Sequence, residues 1–326
     1  MRATAPVSLF VIVTALAACM PAGRAGSSPS SVGVTTSEPA VNRSQEGVRI
    51  VAPAARAEID YAEMLDRLAR AEVVFFGEQH DDPETHRAEA VLLEGLGAIG
   101  RPVVLSLEMF ERDVQGVLDD YLAGRVSESD FLARSRPWPR YATDYRPLVE
   151  LAKRRGWPVI AANVPRPMAS AVGRRGMAAL DTLTPGERLH AARDNSCPMD
   201  DYHARFMESM QGHGAGATSA PAASDTLPTA MAERFYLAQC VKDETMADSI
   251  VEARRRAPRN AIVLHITGAF HSDYAQGTVE RVRRREPGWK LAVVTAVPVR
   301  DPYATPIAPQ GGRADVVIFV RGNNGG

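Results

Sequence analysis

Apolar residues gather in short runs bounded by polar or turn-forming segments. Five runs stand out, at residues 73–77, 103–107, 158–162, 261–267 and 291–297. A sixth, 315–320, follows a loop rich in Pro and Gly. The runs are built from Val, Ile and Leu without strict alternation, the pattern of strands covered on both faces. Between them the period becomes helical. Asp82-Pro83-Glu84 makes a helix start, with Asp as N-cap and Pro at the first helical position. That helix runs towards Gly97 with Ala88, Val91, Leu92 and Leu96 at helical spacing. Others are expected over 114–122 and over 145–155, the latter closed by Gly156. The alternation predicts an α/β fold: a mainly parallel central sheet flanked by helices, with right-handed crossovers.

Residues 165–257 break this rhythm. They hold no clear strand and carry helical patterns at 185–193, 202–210 and 231–255, so a helical insertion or cap is expected. Its middle, 212–228, reads as a low-complexity loop of Gly, Ala, Ser, Thr and Pro.

The N-terminus reads as a targeting segment. Arg2 precedes an apolar run over 7–18, too short to span a bilayer and long enough for a signal-peptide core. It ends in Leu16-Ala17-Ala18-Cys19, similar to a bacterial lipobox, so residues 1–18 are expected to be a lipoprotein signal peptide and Cys19 the lipidated residue. An ordinary secretory signal with a coincidental Cys is the alternative. Residues 19–47, rich in Ser, Pro, Ala, Gly and Thr, read as a flexible tether, and 48–326 as the α/β domain. No later stretch reaches eighteen apolar residues, so no transmembrane helix is expected. Met20 rather than Asp after the Cys points to the outer membrane within the cell envelope.

Hydrophobic residues make up 45% of the chain, enough for a full core, and the net charge of −1 with interspersed signs suggests no nucleic-acid partner. Arg281, Arg283, Arg284 and Arg285 form the densest basic run and read as a solvated helix end. Beyond Cys19 there remain Cys197 and Cys240, open to a disulfide in an oxidising compartment or to two buried thiols.

Chemistry concentrates where the apolar runs end. The first ends in Gly77-Glu78-Gln79-His80, with His86 six residues on; His80 falls in the strand-to-helix loop, where open α/β sheets place ligands. The second delivers Glu108, the third Asn163 and Arg166, and the fourth His271. His265, inside the fourth run, reads as a core histidine. Each residue has an ordinary alternative, such as a salt-bridged Glu or a capping Asn. Together, His80, Glu78, Glu108, Asn163 and His271 converge on one sheet edge. Two histidines and two carboxylates are suited to act as acid and base, or, through His80, Glu108 and His271, to hold a divalent metal.

The segments FFGEQHDDPETH, LSLEMFERDVQGVLDDYLAG, WPRYATDYRPLVELAKRRGWPVIAANVPR, AQCVKDETMADSI and HITGAFH resemble the ChaN family from about Val73 onward. The resemblance implies an iron-regulated lipoprotein that binds haem for iron uptake, as a homodimer with haem between subunits, and that passes it to envelope haem-transport components. It also implies kinship with TIKI-type metalloproteases and erythromycin-esterase-like hydrolases, and by that likeness Glu78, His80, Glu108 and His271 fall on the superfamily's site. A metal-dependent hydrolase is therefore the second reading. The family likeness suggests tyrosine ligation of ferric haem. Tyr202, with His203 beside it, and Tyr236 are the candidates, and Arg166 offers a fork for a propionate. Tyr141 and Tyr145, near Trp138, are alternatives, and ordinary packing is open for each. Met199, Met207 and Met210 are expected to line the core.

Overall fold

The computed structural model describes residues 47–212 and 229–322. The expected signal peptide, Cys19 and all but the last residue of the tether lie outside these residues, as does 213–228 of the low-complexity loop.

Eight strands form one sheet: β1 (Val48–Ala52), β2 (Ala57–Glu58), β3 (Val73–Glu78), β4 (Val103–Glu111), β5 (Val159–Asn163), β6 (Ile262–Gly268), β7 (Leu291–Val299) and β8 (Val316–Arg321). Their order is β2-β1-β8-β7-β3-β6-β4-β5. The pairings from β8 to β5 are parallel; β1 runs antiparallel to β8 and to β2. The six expected strands are all present. The β1–β2 edge is an addition, too short and too mixed to read as a strand pattern.

Burial follows from the sequence. β3 and β6 are buried at every position because helices cover both faces. At the far edge, the side chain of Gln115 stands in for a neighbouring strand: its Nε2 donates to the Val159 carbonyl (2.9 Å) and its Oε1 accepts from Ala161 N–H (2.7 Å). That occupies backbone groups an unprotected edge would offer to another chain.

The helices are α1 (Tyr61–Leu68), α2 (Pro83–Ala98), α3 (Gln115–Leu122), α4 (Glu128–Ser135), α5 (Tyr141–Asp144), α6 (Arg146–Arg155), α7 (Arg166–Arg175), α8 (Pro185–Arg188), α9 (Asp201–Gly212), α10 (Thr229–Arg256) and α11 (Thr278–Arg285). Asp82 caps α2, its carboxylate accepting from Thr85 N–H at 2.8 Å. Gly156 ends α6 with φ +66°, a left-handed conformation that glycine adopts without strain. The buried face of α2 is rotated from the expected stripe: Thr85, His86, Glu89, Leu92, Leu93 and Leu96 face inward, while Ala88 and Val91 are half-buried.

Between β5 and β6 the described residues hold helices only. This region is more than a cap, because the second half of α10 packs on β4, β5 and β6 and serves as the crossover into β6. Cys197 and Cys240 pair as a disulfide with Cα atoms 5.7 Å apart, tying α10 to the segment before α9. The basic run is not a solvated end. Arg281 is buried, and Arg281, Arg284 and Arg285 all converge on buried Glu244; Arg283 turns to exposed Glu280 (2.6 Å). Met199 is exposed rather than in the core, while Met207 and Met210 pack beside Tyr202, Phe206 and Tyr236. No helix among the described residues is long and apolar enough to cross a membrane.

Candidate functional site

The chain leaves β3 towards β4 on one side and leaves β6 towards β7 on the other, so the ends of β3 and β6 lie at the reversal of winding. Open α/β sheets form a crevice there. β3 and β6 pair in register with Glu78 opposite Gly268. Each strand then ends in the same short pattern, Gly77-Glu78-Gln79-His80 and Gly268-Ala269-Phe270-His271.

Both glycines answer to close approaches from the other strand's end. A Cβ on Gly77 would stand 2.7 Å from Ser272 Oγ and 3.0 Å from Ala269 Cα; one on Gly268 would stand 2.7 Å from His80 Nε2. The His80 ring therefore lies over the end of β6. It is about half exposed and meets Trp138 edge-on at 5.0 Å.

Two carboxylate–imidazole pairs result. In the first, His80 Nδ1 donates to Oε1 of buried Glu78, which also accepts from the Tyr145 hydroxyl at 2.8 Å. In the second, His271 Nδ1 donates to Asp243 Oδ1 at 2.7 Å, and Nε2 faces Glu108 Oε1 at 3.4 Å. Asp243 also accepts from Tyr202 (2.7 Å) and Thr278 (2.8 Å). Glu108 accepts on Oε2 from Thr267 Oγ1 (2.6 Å) and Gly268 N–H (2.9 Å). The amide of Gln239 lies 3.2 Å from His271 Nε2.

Burial alone would discharge these groups, and their neighbours prevent it. Burial would lower His271, but the charges of Glu108 and Asp243 carry it up to about 9. Glu108, raised by burial, is held well below its ordinary value by the His271 charge and hydrogen bond. Burial would raise Glu78, yet hydrogen bonds to His80 and His86 bring it down to about 2. His80 is raised, its desolvation outweighed by the hydrogen bond to Glu78. His265 behaves as the expected core histidine: burial drives it down to about 4, and its Nδ1 pairs with Ser106 Oγ at 2.9 Å.

Behind Glu78 lies an inner pocket. His86 Nδ1 stands 3.2 Å from Glu89 Oε2 and 3.3 Å from Glu78 Oε2; its Nε2 donates to the His80 carbonyl (3.2 Å) and faces Asp144 Oδ2 (3.3 Å). Against burial, hydrogen bonds to Glu78 and Glu89 raise His86 to about 10. Burial, and then the Glu78 charge, push Glu89 well above its ordinary value.

Glu78, His80, Glu108 and His271 are thus brought together. Asn163 is not joined to them; its Oδ1 accepts from the adjacent Val164 N–H at 2.9 Å. Of the residues expected to hold a metal, His271 Nε2 lies 3.4 Å from Glu108 Oε1, and His80 reaches over Gly268. The group of three described residues that gathers ligand atoms within 4.8 Å is Glu78, His86 and Glu89.

The residues expected to hold haem are placed as follows. Tyr202 is buried with its hydroxyl on Asp243, and burial together with the Asp243 charge opposes the phenolate. Tyr236 is buried with its hydroxyl on the Pro198 carbonyl. His203 pairs with Glu233 at 2.9 Å. Arg166 is exposed at the start of α7, 4.0 Å from Glu111. The alternatives Tyr141 and Tyr145 are buried too. Tyr274, three residues after His271, is instead exposed. A cavity of about 570 Å³ lies elsewhere, along the free edge of β5 between α3 and α10, and holds none of the strand-end residues.

Asp243, Gln239 and Glu89 were not singled out from sequence. Glu89 had a signal, since it shares the inward face of α2 with Leu92, Leu93 and Leu96.

Among solved structures, the chain resembles that described as cofacial heme binding to ChaN of Campylobacter jejuni: TM-score 0.63, 15% identity, 84% of this chain and 97% of that one. A protein from Bacillus cereus matches at TM-score 0.47 and 10% identity, over 86% of this chain and 96% of that one. An erythromycin esterase mutant in its open conformation matches at TM-score 0.43 and 12% identity, over 85% and 83%. No curated relative matches the sequence. Residues 64–282 match the profile of a family described as haem-binding uptake, Tiki superfamily, ChaN. The match spans more than half of the chain, which therefore belongs to the ChaN family of haem-binding uptake proteins.

Proposed function

We propose that this chain captures haem at the cell envelope, anchored through lipid on Cys19 in the outer membrane, and hands it to haem-transport components. The observation that carries the haem-binding reading, beside family membership, is the turn after β6. Tyr274 and Ala275 are consecutive non-glycine residues with φ of +62° and +54°. Such backbone costs energy and persists where its surroundings fix it. Here Asp273 accepts from Thr295 Oγ1 (2.6 Å) and Arg313 Nε (2.7 Å), and Tyr274 N–H donates to the Arg313 carbonyl (2.7 Å). The phenol is held outward against Arg205, whose guanidinium lies 5.0 Å from its ring. Tyr274 lines two surface hollows of about 370 Å³ each. Met199, next to Asp200 in the lining of the first hollow, is an exposed apolar side chain of the kind that suits a flat apolar ligand.

Tyr274 then supplies the axial phenolate. A second copy presenting the same face would cover a second haem, giving a homodimer. The test is the spectrum of the full chain with haemin: Tyr274→Phe should abolish the phenolate-to-iron band that Tyr202→Phe retains. Retention in Tyr274→Phe would remove Tyr274 as ligand.

A second reading rests on the paired dyads. Glu78 orients His80 and Asp243 orients His271, an arrangement able to supply a base and an acid for hydrolysis. Screening ester and peptide substrates with a His80→Ala control tests it.

A further inference from the structure

The inner pocket is not explained by haem binding, and it lies behind the dyads rather than within them. Glu78, His86 and Glu89 are all buried, at 1%, 5% and 0% exposure. Two carboxylates side by side at such depth repel each other unless a proton or a cation sits between them. Glu89 Oε1 is buried and has no hydrogen-bond partner, and Glu78 Oε2 meets only His86 Nδ1, at 3.3 Å.

The spacing suits a cation. His86 Nδ1 is 3.2 Å from one carboxylate oxygen and 3.3 Å from the other, and one ligand atom from each residue lies within 4.8 Å of the rest. Around an ion bound at roughly 2.0–2.1 Å, neighbouring ligand atoms stand roughly 3.0–3.4 Å apart. The outer partners are those that orient a metal-bound histidine. His86 Nε2 is held by the His80 carbonyl at 3.2 Å and faces Asp144 Oδ2 at 3.3 Å, leaving Nδ1 directed at the carboxylates. Glu78 is fixed from its other oxygen by Tyr145 at 2.8 Å. By contrast His80 and His271 each spend Nδ1 on a carboxylate.

We propose that Glu78, His86 and Glu89 form a buried site for one divalent first-row transition-metal ion, separate from the haem-binding face. One nitrogen and two carboxylate donors suit Mn²⁺, Fe²⁺ or Zn²⁺. In the metal-free chain the Nδ1 proton of His86 bridges to Glu89; the ion takes that place. Through Glu78 the ion touches the outer dyad, since the opposite oxygen of the same carboxylate holds His80. The metal would thereby fix the orientation of His80 at the mouth of the crevice.

The test uses the full chain, stripped with a chelator, kept haem-free and titrated with Mn²⁺ alone. Elemental analysis counts bound ions, and pulsed EPR counts coordinated imidazoles. The expected result is one Mn²⁺ per chain with one imidazole, at least tenfold weaker binding in Glu89→Gln, and unchanged binding in His271→Gln. No bound ion, a count of zero or two imidazoles, or unchanged affinity in Glu89→Gln overturns the proposal. If Glu89→Gln does not fold, the imidazole count in the unaltered chain decides.

Discussion

The imidazole of His80 lies across Gly268, with Nε2 only 2.7 Å from where a Cβ would stand. The end of one strand is shaped to hold the histidine delivered by its neighbour. Gly77 holds the reciprocal position beneath Ala269 and Ser272.

The two glycines should not respond alike to alanine. At Gly268 the obstacle is the tip of a half-exposed side chain, which can swing away. Gly268→Ala should cost under about 1 kcal/mol while shifting the His80 imidazole signals in NMR. At Gly77 the obstacles include backbone, so Gly77→Ala should cost about 1–3 kcal/mol in urea unfolding. Equal costs would contradict this account of the paired motifs.

Stability should fall as pH rises above neutrality. His271 and His86 are held near 9 and 10 when folded, against about 6.5 in the unfolded chain. A raised folded value contributes stability that is complete below about 6.5 and is lost as pH rises through the folded value. Denaturant melts in the absence of metal should therefore weaken between about pH 6.5 and 10. His271→Gln should flatten the lower part of that decline. A stability that climbs across this range would contradict the assigned charges.

Glu89 offers a test with the opposite variant effect. Burial and then the Glu78 charge raise its carboxyl well above the ordinary value of about 4.5 that it has in the unfolded chain. A carboxyl raised in this way on folding costs stability above its unfolded value. Glu89→Gln is neutral in both states and should raise the melting temperature of the metal-free chain. A fall would show that Glu89 is ionised in the fold.

The disulfide closes a loop of sequence separation 43. On the chain-entropy model, opening it should cost about 4 kcal/mol. Comparing melts of the oxidised chain with Cys197→Ser/Cys240→Ser measures this. Because Gln239 and Asp243 flank Cys240 and both contact His271, loosening should also broaden the His271 signals.

The fold was legible because β3 to β8 are contiguous apolar runs, and because Asp82, Pro83 and Gly156 mark helix ends with unambiguous local chemistry. The outer site was legible for a related reason. Glu78, Glu108 and His271 sit at strand ends, where a polar residue after a buried run stands out. Asp243 and Glu244 were hidden because they lie within the 28-residue helix α10, where polar residues look like a solvated face until the helix is packed. The haem side was less legible. Tyr202 and Tyr236 lie in amphipathic helices, and sequence does not tell which way such a phenol turns. The exposure of Tyr274 depends on a left-handed turn at two residues that rarely adopt one, which sequence does not reveal.

The measurement that bears most directly on the central claim is a haemin titration of the full chain followed by absorbance. Saturable binding with a high-spin spectrum and a phenolate band, lost in Tyr274→Phe, is the predicted result. No saturable binding at micromolar haemin would contradict haem capture and leave the strand-end dyads as the function to pursue.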